Sequence, residues 1–148
     1  MFANIQKQMV KAGGLLLVLP LLLMGCAGDE ETPVLPTKHW GDIEVTVQTR
    51  PPQIKAGMIE FMVLAAVKGR KPANELVVSL RMEGSKKWHQ AIQDGFLGVY
   101  RRVVRVNDPA KDVLAVKLRV KKSEDEMTLY FPLALQQPAA KAAGATGQ

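Results

Sequence analysis

Few side chains in this sequence have the types and spacing that chemistry needs, and they fall into three groups. The first is a thiol. Cys26 is the single cysteine in 148 residues and closes the apolar run from Leu15 to Met24. Without a second cysteine no intramolecular disulfide can form, so stability must come from packing alone. The second group is soft donors. Met82 and His89 lead it, with Met58, Met62, Met127 and His39 also available, because thioether and imidazole together suit Cu(I). Met82 also continues the apolar row Leu76, Val78, Leu80, so core packing is its better reading, and His89 reads better as a surface histidine than as a ligand. The third group is hydroxyls and carboxylates. Ser79, Ser85 and Ser123 sit in no nucleophile elbow, and Asp94, Asp108 and Asp112 occupy turn positions that Asx chemistry explains. There is no HExxH and no Gly-rich phosphate loop. The expectation is a protein without catalytic residues and without a resident cofactor, copper being the alternative.

The elements around Cys26 give it a different chemistry. Lys7 and Lys11 form a positive start, Ala12 to Met24 an apolar core broken by Gly13, Gly14 and Pro20, and Gly25 a small residue at a cleavage point. The run is shorter than the roughly 20 apolar residues of a membrane-spanning helix. Leu23-Met24-Gly25-Cys26 resembles a bacterial lipobox, with Leu23 three positions before the cysteine and Met24 departing from the small or β-branched residue common there. That resemblance implies removal of residues 1–25 and lipidation of Cys26, with an uncleaved anchor or ordinary secretion as alternatives. Lipoproteins of this kind carry three acyl chains, and each buried methylene adds about 0.8 kcal/mol to the anchor. Ala27, where an aspartate often retains such proteins at the inner membrane, points to the periplasmic face of the outer membrane.

Residues 26–41 read as the lipidated cysteine and a tether, small and acidic at Ala27 to Glu31 and extended at Pro33 and Pro36. From Asp42 the hydrophobic period becomes two. Ile43, Val45 and Val47 alternate before Arg50-Pro51-Pro52 ends the strand. After Gly57, the residues Ile59, Phe61, Val63, Ala65 and Val67 share a face; Met58, Met62, Leu64 and Ala66 line the other, which predicts burial on both sides. Further strands fall at Leu76 to Met82, Trp88 to Ile92, Gly98 to Val106, Leu114 to Val120 and Leu129 to Leu133. Arg102 shares parity with Tyr100 and Val104, so it lies near a sheet edge or a bulge shifts the register. About seven strands with regular turn signals and no amphipathic helix predict a single all-β sandwich over 42–135. Residues 136–148, rich in Ala, Gly and Gln, read as a disordered tail.

The layout resembles the YtkA-like and FixH-like immunoglobulin-like domains exported by bacteria. The likeness rests on Arg50-Pro51-Pro52, the strand with Phe61 and Val63, the turn Gly69 to Pro72, and the strand ending at Met82. It also rests on Asp94-Gly95 with Gly98-Val99-Tyr100, and on Leu129 to Leu133, so that it covers roughly residues 42–134. It implies an immunoglobulin-like sandwich and an accessory role in the envelope. Some such domains handle copper, which is where Met82 and His89 fall, although no dense Met-Pro-x-Met-x-His cluster is present.

Charge constrains the partner. The chain carries twenty basic and fourteen acidic residues, a net +6. Loss of Lys7 and Lys11 with the leader leaves about +4, dispersed along the domain. No basic stripe interleaved with aromatics is present, so nucleic acid is not an expected partner. A membrane reached through the N-terminal lipid, and an envelope protein, are. Phe96 and Leu97 between two glycines form the candidate contact patch, with Arg101, Arg102 and Arg105 beside them as sites for acidic partners or phosphate groups. The competing reading is that Phe96 and Leu97 plug one end of the sandwich and the arginines are a solvated strand face.

Overall fold

The computed structural model describes residues 33–136. Alternating apolar side chains dictate nearly all of it. In β2 (Ile43–Arg50) Val45, Val47 and Thr49 turn inward, and in β3 (Gly57–Val67) Ile59, Phe61, Val63 and Ala65 do the same. A two-residue strand β4 (Lys71–Pro72) pairs with the end of β3. β5 (Leu76–Met82) alternates without a break, burying Leu76, Val78, Leu80 and Met82. Two short strands follow, β6 (His89–Gln90) and β7 (Ile92–Gln93), and then β8 (Val99–Val106), β9 (Val113–Val120) and β10 (Glu126–Pro132). A single 3-10 turn, Leu133–Leu135, ends the described chain.

The strands form two antiparallel sheets. The first runs β1-β2-β3-β8-β7, where β1 is Val34–Trp40, and the second runs β10-β9-β5-β6. Leaving β1 aside, β2-β3-β8-β7 facing β10-β9-β5-β6 follows the immunoglobulin-type order of an ABED sheet over a GFC sheet. The inner faces meet in one core around Phe61, Tyr100, Phe131, Leu80, Leu114 and Leu118, each essentially inaccessible to water. Burial of side chains this size is worth about 1.5–3 kcal/mol apiece. With no disulfide possible, that core supplies the stability.

Several expectations need correcting. The tether does not extend to Gly41, because residues 34–40 form β1, paired along β2 from Val34↔Gln48 to Trp40↔Ile43. Leu35 is fully buried there. Pro36, which has no N–H for a ladder, is accommodated by a register shift between Leu35 and Lys38 on this edge strand. The sandwich thus begins before residue 42. At the other end Gln136 belongs with it: its side-chain amide donates to Thr49 Oγ1 at 3.0 Å and to the Pro52 carbonyl at 2.6 Å. Trp88 to Ile92 is not one strand. The chain leaves the second sheet after Gln90 and enters the first at Ile92, with the Ala91 N–H donating to the Val78 carbonyl at the crossing. Nor is β3 buried on both faces, since the described residues form only one other layer. Met58 is exposed and Leu64 half-buried, while Met62 is covered by its ladder neighbours Gln48 and Arg101. Leu133 closes the core from the 3-10 turn and not from the final strand.

Candidate functional site

The outward face of the β1-β2-β3-β8-β7 sheet carries the features closest to a binding surface. At one end stands the hairpin loop between β7 and β8. Phe96 is 82% and Leu97 69% exposed, so they do not plug the sandwich. The loop is nevertheless firmly held. Asp94 N–H donates to the Val99 carbonyl at 2.8 Å. The Asn74 side chain donates to the Phe96 carbonyl at 3.0 Å and accepts from the Gly98 N–H at 2.9 Å, clasping both sides of the exposed pair. Gln93 and Lys121 extend this network: Lys121 Nζ donates to the Asn74 carbonyl at 3.0 Å and to Gln93 Oε1 at 3.2 Å. Beneath it Tyr100, in the core, donates its hydroxyl to the Ala73 carbonyl at 2.6 Å. Burial pushes the Tyr100 phenol above its ordinary pKa.

Gly98 is the pivot of this arrangement. Its φ is +68°, and a Cβ there would overlap the Ala65 carbonyl oxygen. Only glycine allows β8 to start this close to β3, where the Ala65 N–H donates to the Gly98 carbonyl at 2.8 Å. Two exposed apolar side chains are thereby presented on a loop that has little freedom to fold away.

Further along the same face an open groove of about 610 Å³ lies over β7, β8 and the start of β3. Met58, Ile92 and Val103 form its apolar wall, at 59%, 69% and 45% exposure. Arg101 crosses it, with Nη2 2.8 Å from Asp94 and Nη1 3.9 Å from Glu60. Such half-exposed pairs contribute little to stability; they fix where the guanidinium stands. Arg102, on the inward parity of β8, also lines the groove. Its register is unbroken, Phe61↔Arg102 continuing the ladder with β3, so no bulge is involved. Arg102 is tolerated because β7 ends beside Arg101 and leaves this position at a free edge. Phe96, Leu97, Arg101 and Arg102 thus share one sheet face and its edge, with the loop at one end and the arginines at the groove.

The other candidates separate. Met82 is 6% exposed, and its thioether packs into the core row. His89 sits half-buried in β6 opposite Leu80. The two lie on neighbouring strands, but no group of three or more His, Cys, Asp or Glu residues suited to a metal occurs among the described residues. Met58 lines the groove, Met62 is covered, and His39 is exposed on β1. Trp88 lies against the opposite sheet with the Arg81 guanidinium 4.3 Å and Lys117 Nζ 4.6 Å from its ring, so cations already occupy its faces. Leu23, Gly25 and Cys26 lie outside the described residues, as does the tail beyond Gln136. No helix among the described residues is long and apolar enough to cross a membrane.

Reasoning from the sequence missed the groove. Its walls come from three strands, and only the ladder pairs Met58↔Arg105, Glu60↔Val103 and Ile92↔Arg101 bring them together. Met58 and Ile92 are the apolar residues that the sequence offers for this face, and strand parity alone cannot show that no second layer among the described residues covers them. Comparison of the chain with protein-family models, with curated proteins and with solved structures found no match.

Proposed function

We propose that the sandwich is a non-catalytic binding module of the cell envelope, held at a membrane surface by lipid on Cys26 and capturing a protein partner through the Phe96–Leu97 loop and the sheet face behind it. The observation that carries this reading is the presentation of Phe96 and Leu97. Two large apolar side chains stand in solvent on a loop that Asn74 clasps from both sides. Ordering a flexible loop on binding costs free energy, and a loop already held avoids most of that cost. Aromatic anchors with apolar neighbours are the residues on which interface energies concentrate. A collapsing apolar loop would bury the pair; this one does not.

The test is capture from envelope membranes with the full-length tagged protein, beside a Phe96→Ser variant. A partner retained by the wild type and lost by the variant, with the thermal melt unchanged, supports the loop as the docking point. Undiminished capture by the variant removes it.

A further inference from the structure

We infer that the free edge of β8 is a strand-addition site for an extended acidic segment of a partner protein, a proposal that rests on the binding-module reading and gives it a second contact. The backbone makes the site. The Val99 carbonyl points toward β7, where it accepts from Asp94 N–H at 2.8 Å, whereas the Gly98 carbonyl points toward β3 and accepts from Ala65 N–H at 2.8 Å. Alternation along the strand therefore turns the N–H and C=O of Arg101, Val103 and Arg105 away from β3. β7 covers only the first of these, because its pairing ends at Ile92↔Arg101 and the chain crosses to the other sheet. Among the described residues no strand pairs with the outward-facing donors and acceptors of Val103 and Arg105, and both residues are exposed. A partner strand laid there would occupy the line that β7 vacates, with its main chain paired to β8.

Side chains then choose the occupant. Alternate residues of an added strand would face the apolar wall of Met58, Ile92 and Val103. The others would meet Arg102, and Arg105 flanks the end. Among the described residues neither arginine has a carboxylate within ion-pair distance, while Arg101 is already matched by Asp94 and Glu60. Two positive charges on an open edge select an acidic strand. They also disfavour a second copy of this chain, since antiparallel pairing of β8 with itself sets arginine against arginine. The two other long edges differ. β1 and β10 lie beside one another, with Lys38 5.8 Å from the Phe131 ring, and Pro36 interrupts the donors of β1.

The experiment titrates the full-length protein with a short synthetic peptide alternating valine and glutamate, against a valine–lysine control, while amide hydrogen exchange is followed. Expected are binding of the acidic peptide alone, weakening with salt, and slowed exchange at Val103 and Arg105. Val103→Pro removes one outward N–H and no ladder bond, so it should weaken binding about tenfold. Arg102→Glu with Arg105→Glu should reverse the preference to the lysine peptide, which keeps the test decisive should the proline variant fold poorly. Phe96→Ser should change none of these readouts, so failure of the loop and failure of the edge are told apart. No binding, protection at other amides, or indifference to both β8 variants would overturn the proposal. So would concentration-dependent dimers of the protein alone that protect the same two amides.

Discussion

At the scale of single residues the molecule depends on a few polar groups placed inside an apolar core. Tyr100 is the largest, its hydroxyl satisfied by the Ala73 carbonyl at 2.6 Å beneath the Asn74 clasp. Removing the oxygen leaves that carbonyl without this donor, and Tyr100→Phe should cost about 1–2 kcal/mol at neutral pH in urea unfolding. The same burial makes stability pH-dependent. Desolvation raises the phenol pKa in the folded state above the unfolded value near about 10. The folded protein then holds the proton more tightly, so the contribution is complete below about pH 10 and is lost as pH rises through the higher folded value. Wild type should therefore lose stability more steeply than Tyr100→Phe as pH rises above about 10. Parallel curves for the two proteins would show that the phenol is not held neutral by its surroundings.

At the scale of elements, β1 separates a tether from a structural strand most sharply. Leu35 is fully buried and packs into the core cluster, so Leu35→Ala should destabilise by about 2–4 kcal/mol, as large-to-small changes in a core do. A solvated tether residue would cost nothing measurable, and thermal or denaturant unfolding distinguishes the two. β1 is hard to read in the sequence because Pro33 and Pro36 suggest extended linker and its ladder shifts register between Leu35 and Lys38, which breaks the period-two pattern. β2, β5 and β9 are legible for the opposite reason. Val45 with Val47, Leu76 to Met82, and Leu114 to Leu118 keep one parity throughout, and the inward face of each strand follows from that alone. The crossing at Ala91 is invisible by the same logic. Alternation says which way a side chain faces but not which sheet it faces from, so β6 and β7 read as one strand. Half of the candidate site is legible too. Phe96 and Leu97 stand out between glycines, whereas the groove exists only through cross-strand register.

At the scale of the whole molecule the lipid attachment and the binding face must be compatible in space. If acyl chains sit on Cys26, the seven residues 27–33 before β1 span at most about 25 Å fully extended. That is about half the reach of a tether ending at Gly41, so the sandwich would be kept close to the headgroups with limited freedom to turn. A mild basic excess suits that position, because an anionic leaflet attracts lysine and arginine lying within a Debye length of it. The anchor and the fold are then separate devices joined by a short segment, and they should fail separately. Cys26→Ser should shift the protein from the membrane fraction to the soluble fraction, or leave it as an uncleaved precursor. Its thermal melt should stay within a few tenths of a kcal/mol of the wild type, since surface changes away from the core rarely do more. Processed protein that still sediments with membranes after the substitution would mean that the sandwich itself binds them, and its basic residues would then be the next to reverse.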